Sequence, residues 1–184
     1  MSARPNSCEK NELLVLDLPV VLQSSVTSCA LATVSGVVWF LTGRHIRQRD
    51  LAGVLGQRWT KDGTRMADVI GLVQRFAGVA IDEQVTTTFG TVTAAIQAGQ
   101  PMLAAVHVDA ERGHMIAVVG VVIGPTPHVV VNDPNFRWRL LIPWPEFCRS
   151  LRSIAFVRRH PASSTGSNDN QQSPRPASAR GGSA

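Results

Sequence analysis

The segment that most constrains the fold is the apolar stretch between Cys29 and Gly43. Ser28 or Thr27 can cap the start of a helix there, and a glycine such as Gly43 often ends one. Apolar side chains surround nearly the whole helix: Ala30, Leu31, Ala32, Val34, Val37, Val38, Trp39, Phe40 and Leu41. A helix that is apolar on all sides is buried on all sides. The sequence therefore predicts a domain built around a central helix that begins at a cysteine.

The remainder of the first half is predicted to be mainly helical. A short helix is expected near Arg47–Leu55, and a third helix begins where Thr64 follows a turn at Asp62–Gly63 and supplies the cap. Its apolar positions recur at three- and four-residue steps, at Met66, Val69, Ile70, Val73 and Phe76. A strand near Val79–Val85 and a brief helix over Thr91–Ala98 complete this half.

The second half is predicted to be a sheet of short strands. Five runs rich in β-branched residues are bounded by turn residues: Pro101–Val108, His114–Ile123, His128–Asn132, Arg137–Ile142 and Ser153–Arg158. A helical segment near Trp144–Leu151 interrupts them. Most of the loops are too short for parallel crossovers, so the strands are expected to pair antiparallel. Helices first and strands second indicate an α+β fold, with the buried N-terminal helix packed on a C-terminal sheet.

The length of 184 residues suggests one folded domain. We expect it to span residues 12–160, preceded by a flexible N-terminus over residues 1–11. Residues 161–184 are rich in Pro, Ser, Gly, Asn and Gln and contain no large apolar side chain. Such a segment buries too little surface to offset its ordering entropy, so a disordered tail is predicted.

Charge and composition argue against several classes of protein. The net charge is +5, but the arginines are scattered and no aromatic residues alternate with them, which favours a solvated basic surface over a nucleic-acid site. No apolar run is as long as a membrane span, and no secretory signal peptide is evident. The chain has only three cysteines, Cys8, Cys29 and Cys148. Such an odd and sparse set argues against a disulfide framework and fits a reducing compartment. A cytoplasmic location is the default expectation, with signal-independent export left open.

Cys29 is the first candidate for chemistry because it stands where the central helix begins. The free N–H groups and the dipole of a helix N-terminus stabilise a thiolate. The alternative is that Cys29 is a small core hydrophobe, which is the usual role of a free cysteine. A nucleophilic cysteine also needs a base within hydrogen-bond reach. His114 opens a strand directly after the turn Asp109–Gly113, and His128, which opens the next strand, is its best rival.

The expected hairpin favours His114 over His128. After the strand that begins at His114, the chain turns and returns as a second strand that ends in Asn132-Asp133-Pro134. The end of the second strand of an antiparallel hairpin lies beside the start of the first. Asn132 or Asp133 is therefore expected next to His114 as its orienting partner. The alternative is that this tripeptide is only a turn.

Gln23 lies six residues before Cys29 and could complete the site. Its side-chain amide, together with the backbone N–H of Cys29, could stabilise the oxyanion of an acyl transfer. By contrast, Cys29, His107, His114 and Cys148 lack the close paired spacing of zinc ligands, and no glycine loop of the phosphate-binding kind is present. No metal and no cofactor are expected.

The ordered set Gln23, Cys29, Gly113-His114 and Asn132-Asp133-Pro134 resembles the papain-like cysteine peptidases, and in particular the bacterial peptidase C39-like group. The resemblance covers about residues 18–157. It implies a papain-like fold in which Cys29 is the nucleophile, His114 the general base, Asp133 the orienting residue and Gln23 the oxyanion donor.

The function expected from this resemblance is thiol-dependent hydrolysis of peptide or amide bonds through an acyl-enzyme, with a peptide or protein as substrate. Two alternatives stay open at this point. The same side chains could pass the acyl group to an amine or thiol, as in an acyltransferase or a transglutaminase-like enzyme. The scaffold could also be a catalytically inactive module that binds peptides.

Overall fold

The computed structural model describes residues 11–56, 64–109 and 112–158. The expectations for most of the N-terminus (residues 1–10), for the turn at Asp62–Gly63 and for the tail over residues 161–184 lie outside the described residues.

Five helices and seven strands make up the described part of the chain. The helices are α1 Cys29–Thr42, α2 Gln48–Leu55, α3 Met66–Ala77, α4 Phe89–Gln97 and α5 Trp144–Ser150. The strands are β1 Glu12–Val15, β2 Ala80–Gln84, β3 Met102–His107, β4 Gly113–Ile123, β5 His128–Asn132, β6 Leu140–Pro143 and β7 Leu151–Arg158. None of the described helices is long and apolar enough to span a membrane.

The seven described strands form one sheet in which each pair is antiparallel. Six of them follow the order β2-β7-β3-β4-β5-β6, and β1 lies outside this order. Strand β1 pairs with residues 120–123 of β4. It lies on the same edge of β4 as β3, which pairs with residues 113–118 of β4. The predicted α+β fold, with N-terminal helices and an antiparallel C-terminal sheet, is confirmed.

The sheet is covered on both faces, which explains why its central strand is almost continuously apolar. Helices α1, α2 and α3 pack on one face, where β4 contributes Met115, Ala117 and Val119. Helices α4 and α5 pack on the other face, where β4 contributes Ile116, Val118 and Val121. After Val119 the odd-numbered residues of β4 face the opposite side of the sheet, because the β4–β5 register shifts there.

Helix α1 has the bounds that its sequence predicted. It runs from Cys29 to Thr42 and ends at Gly43, whose φ of 71° lies in the left-handed region that glycine adopts without strain. Nine consecutive residues, Ala30–Val38, are buried. The burial follows from the position of α1 between the sheet and helices α2 and α3.

Two local expectations were wrong, and one strand was not predicted. Thr64 does not cap α3, because the helix begins one residue later and Arg65 takes the cap position without a side-chain hydrogen bond. Strand β1 was not predicted, since its four residues show no alternation and its partner is distant in sequence. The strand expected over Arg137–Ile142 begins only at Leu140, because its partner β5 ends at Asn132 and pairs with it from Val131 onward.

Candidate active site

Cys29 is the first residue of α1, at the end of a tight polar turn. Ser28 is buried and occupies the cap position, but its hydroxyl does not cap the helix. Instead, Ser28 Oγ accepts the Ser25 N–H at 2.8 Å and donates to the Ser25 carbonyl at 2.9 Å. The backbone N–H of Cys29 has no partner within the helix. The sulfur therefore lies at a helix N-terminus, where backbone N–H groups are available to an anion.

His114, the second residue of β4, is held by Asp133. Its Nε2–H donates to Asp133 Oδ1 at 2.7 Å, and the two side chains are only 11% and 14% exposed. Strand β5 leaves the sheet at Asn132, opposite Ala117, so the chain that follows passes the start of β4. This is the neighbourhood that the hairpin topology predicted.

Asn135 adds two contacts that the sequence reasoning missed. Its backbone N–H donates to Asp133 Oδ1 at 2.9 Å, and its side-chain amide lies 3.2 Å from His114 Nε2. The turn closes with the Phe136 N–H donating to the Asp133 carbonyl at 3.0 Å. An Asp-Pro-Asn sequence directly after a strand was the available signal, because such residues bind back to their own turn.

The Cys29 thiol and the His114 imidazole are neighbours, since each shifts the pKa of the other through hydrogen bonding and charge. Because Nε2 is directed at Asp133, Nδ1 is the ring nitrogen available to the sulfur. Helix α1 also contacts the residue that follows His114 in β4, because Thr33 Oγ1 donates to the Met115 carbonyl at 3.1 Å. The side chains of Cys29, His114 and Asp133 therefore form a line, with a hydrogen bond between the last two.

The electrostatics of this line favour a charged pair. Burial is the largest influence on the Cys29 pKa and raises it, but the hydrogen bond and charge of His114 and the backbone N–H groups of Met115 and Ala30 outweigh burial and lower it. Burial likewise lowers the pKa of His114, yet its bonds to Asp133 and Cys29 and their charges raise that pKa to about 9. A lowered thiol pKa and a raised imidazole pKa both favour the thiolate–imidazolium pair over the neutral pair.

Asp133 remains ionised in this arrangement. Burial raises its pKa, but the hydrogen bond from His114 and the backbone N–H of Asn135 more than compensate, so that the pKa lies below its ordinary value. An aspartate that is charged at neutral pH stabilises the imidazolium next to it.

The neighbouring Asn132 makes no hydrogen bond to His114 among the residues described. Its Nδ2 instead donates to the Leu18 carbonyl at 2.9 Å and to the Pro19 carbonyl at 3.4 Å. Asn132 thus fastens the segment that leads to Gln23. Of the two orienting partners left open by the sequence, only Asp133 lies against the histidine.

Gln23 lies beside the same turn. Its backbone N–H donates to the Pro134 carbonyl at 3.0 Å, one residue after Asp133. The side chain is half-buried, and its Oε1 is buried without a hydrogen-bond partner among the residues described. The structure therefore places the Gln23 backbone at this end of the sheet.

The side chains of the remaining described histidines contact other partners. His128 Nδ1 bonds to the Thr126 carbonyl at 2.8 Å in the turn at the far end of the hairpin. His107 contacts the guanidinium of Arg152, and His45 packs against Trp39. No group of metal-binding side chains was found within residues 11–56, 64–109 and 112–158.

We expect alkylation of Cys29 by iodoacetamide to increase at a lower pH than alkylation of Cys148 does. The pKa of the Cys29 thiol lies below its ordinary value because of His114, and His114 itself loses its proton only as pH rises through about 9. Cys148 is the internal reference, because burial raises the pKa of its thiol and its labelling should increase only at alkaline pH. Mass spectrometry of the labelled peptides measures both rates in one sample.

Two variants serve as controls for this profile. His114→Ala removes the bond that lowers the Cys29 pKa but leaves the burial that raises it, so labelling should shift to alkaline pH. Asp133→Asn retains an oxygen that can accept from His114 but removes the charge, so the shift should have the same direction and be smaller. Equal pH profiles for Cys29 and Cys148 in the wild-type protein would contradict the charged pair.

Comparison with protein families gives one match over most of the chain. Residues 15–142 match the model of the Peptidase C39 like family. Among curated proteins, none matches this sequence.

Three solved structures resemble the fold. The first is a protein described as a C39-like peptidase from Bacillus anthracis, with a TM-score of 0.65 and 13% identity over 80% of this chain and 98% of that chain. The second is the peptidase domain of Streptococcus ComA, a bi-functional ABC transporter, with a TM-score of 0.63 and 14% identity over 78% and 99%. The third is a double glycine motif protease from an AMS/PCAT transporter in complex with the leader peptide, with a TM-score of 0.57 and 17% identity over 79% and 94%.

Proposed function

The chain belongs to the Peptidase C39 like family, and from that premise we propose that it is a cysteine peptidase that cleaves peptide bonds with Cys29, His114 and Asp133. The observation that carries the proposal is the line of these three side chains at the N-terminus of the central helix, in which Asp133 bonds to His114 and His114 lowers the pKa of Cys29. A nucleophile, a base and a group that orients the base are the minimum for nucleophilic acyl transfer.

The proposed reaction begins with the Cys29 thiolate. The sulfur attacks the carbonyl carbon of the scissile bond, a C–S bond forms, and the carbonyl oxygen becomes an oxyanion. The Cys29 N–H and the Gln23 amide are the proposed donors to that oxygen. His114 then gives its proton to the leaving amine as the C–N bond breaks, which leaves a thioester on Cys29.

Water completes the turnover. Neutral His114 takes a proton from a water molecule, which attacks the thioester and releases the acid together with the Cys29 thiolate. Asp133 holds the imidazole through Nε2 at 2.7 Å in both steps and stabilises its charged form. Its role is therefore to orient His114 while Nδ1 faces the sulfur.

A peptide is the proposed substrate. One of the similar structures is a double glycine motif protease bound to its leader peptide, and this supports a peptide ligand for the same fold. Apolar side chains are exposed on the turns that flank the site, at Leu22, Val26, Phe136 and Trp138. Such side chains suit contact with an extended peptide more than with a small polar amide.

Incubation with a peptide library prepared by digesting a proteome tests this function. Mass spectrometry should detect new termini that share residues around the cleaved bond, because a cleft selects side chains near the scissile carbonyl. The same protein blocked beforehand with iodoacetamide is the control and should produce none. New carboxyl termini indicate water as the acceptor, whereas products that carry an added amine would instead support acyl transfer. A reduced protein with reactive Cys29 that cuts no peptide would overturn the proposal.

A further inference from the structure

The side chain of Gln48 binds both neighbours of Gln23 with a single amide. Gln48 is the first residue of α2, and its Nε2 donates to the Leu22 carbonyl at 2.7 Å. Its Oε1 accepts the Ser24 N–H at 3.0 Å. The amide thus pairs with the backbone before and after Gln23 in the way that an adjacent strand would.

The position of Gln48 is itself determined by α1. Ser35, a buried residue of α1, donates its hydroxyl to the Ile46 carbonyl at 2.6 Å, two residues before α2 begins. Leu51, one turn further along α2, is fully buried in the cluster that contains α1. Gln48 therefore connects the Gln23 turn to the helix that carries Cys29, without involving the strand that carries His114.

The same contact network extends to the residue before the nucleophile. Ser24 Oγ donates to Gln48 Oε1 at 2.9 Å and lies 3.3 Å from Ser28 Oγ. Ser28 precedes Cys29, whose backbone N–H is the second proposed oxyanion donor. Gln48 thus contacts the start of the turn directly and its end only through the Ser24 hydroxyl.

The backbone anchors matter because, among the residues described, the side-chain oxygen of Gln23 has no hydrogen-bond partner of its own. Within the described part of the chain its Oε1 is buried and accepts no hydrogen bond. The location of this amide is therefore set by the backbone that carries it. That backbone is held at the Gln23 N–H by Pro134 and on both sides by Gln48.

We propose that Gln48 is a positioning residue for acyl transfer, which keeps the Gln23 amide where the oxyanion forms by clamping the backbone on either side of it. This inference rests on the proposed role of Gln23 as an oxyanion donor. It assigns to Gln48 no contact with the substrate and no influence on the ionisation of Cys29. Loss of Gln48 should therefore impair addition to a carbonyl and spare the thiolate.

Two reagents separate these effects on the full-length protein. The thiolate is alkylated by iodoacetamide: the sulfur forms a bond to the CH₂ carbon and iodide leaves, a step without an oxyanion. With p-nitrophenyl acetate, the thiolate adds to the ester carbonyl, an oxyanion forms, and p-nitrophenolate leaves as the acetyl group stays on Cys29. Mass spectrometry of the Cys29 peptide measures the rate of each modification. The ratio of acylation to alkylation therefore reports oxyanion stabilisation.

Gln48→Ala should slow acylation of Cys29 by about tenfold or more. Loss of an oxyanion donor lowers the rate roughly 10²–10³-fold, and moving the Gln23 amide out of place should cause part of that loss. Alkylation should change less than twofold. Gln48→Glu should resemble Gln48→Ala, because an ionised carboxylate accepts from Ser24 but cannot donate to the Leu22 carbonyl. The matched control is Arg49→Ala, the next residue on α2, whose guanidinium is exposed and lies 3.8 Å from Asp50. Both of its rates should equal those of the wild type.

A double-mutant cycle with Gln23→Ala completes the test. If Gln48 acts through Gln23, adding Gln48→Ala to Gln23→Ala should slow acylation no further. The inference is overturned if Gln48→Ala acylates at the wild-type rate, if its effect is undiminished without Gln23, or if alkylation falls in parallel. Failure of the proposed function has another signature, in which wild-type Cys29 reacts with neither reagent, and that result overturns both proposals.

Discussion

Replacing Cys29 with alanine is expected to reduce peptide cleavage by about 10⁴-fold or more. The sulfur supplies the electrons for the new bond to the carbonyl carbon, and alanine has no atom that can replace it. The other groups at the site could still bind a substrate, but binding alone does not open the acyl-enzyme route. Initial rates on peptides that the wild-type protein cleaves measure the effect.

The fold of the Cys29→Ala protein should be preserved, because Cys29 is only partly buried at the edge of the core and alanine suits the first turn of a helix. An unchanged melting temperature would show that the lost activity is chemical. Cys148→Ala is the matched control: Cys148 is exposed, and the variant should retain wild-type rates. Cleavage by Cys29→Ala at more than a few per cent of the wild-type rate would assign the reaction to another residue.

Replacing Gly120 with alanine is expected to cause a loss of stability of roughly 3 kcal/mol, the upper end for overpacking a core. A Cβ at Gly120 would overlap the Leu14 carbonyl oxygen and lie 2.9 Å from Val15 Cγ2 and 3.0 Å from Val15 Cα. Gly120 pairs with Val15 in the β1–β4 ladder, so two backbones have to move apart. Because the obstacle is mainly backbone, rotation of a side chain cannot relieve it.

Thermal and urea unfolding measure this effect, and a melting temperature lower by roughly 6–12 °C corresponds to the expected loss for a chain of this size. Gly71→Ala is the matched control, since a Cβ at this exposed position on α3 meets no atom within 4 Å. There alanine should stabilise the protein by about 0.5–1 kcal/mol, because it favours the helix over the unfolded chain. If both variants prove equally stable, β1 does not lie against β4 as described.

Local signals in the sequence were sufficient for several elements. Helix α1 could be placed because its apolar residues surround it and Gly43 ends it in the left-handed conformation. Strand β5 was predicted with its observed bounds, since it is a β-branched run between a turn and Asn-Asp-Pro. Elements whose partners lie far along the chain were harder to predict. Residues Glu12–Val15 form a strand because they pair with the edge of β4, and no local pattern in these four residues predicts that pairing.

The hairpin topology limited the predicted orienting partner of His114 to two residues. Antiparallel pairing places Asn132 and Asp133 near His114 whatever the details of the turn. Which of them lies against the histidine depends on the segment at Leu18 and Pro19, which occupies the Asn132 amide. That segment is more than a hundred residues away in sequence, so no local pattern could decide between the two.

The sequence by itself determined the buried helix with a cysteine at its first residue, the antiparallel hairpin that brings His114 near Asp133, and the resemblance to the peptidase family that the match over residues 15–142 confirms. These follow from periodicity, capping and turn chemistry, which act over a few residues. Only the tertiary structure decided that Asp133 rather than Asn132 bonds to His114, that Asn135 joins them, and that Gln48 clamps the backbone around Gln23. Those contacts join polar groups from separate elements, and packing of the helices and the sheet is what brings them within hydrogen-bond distance.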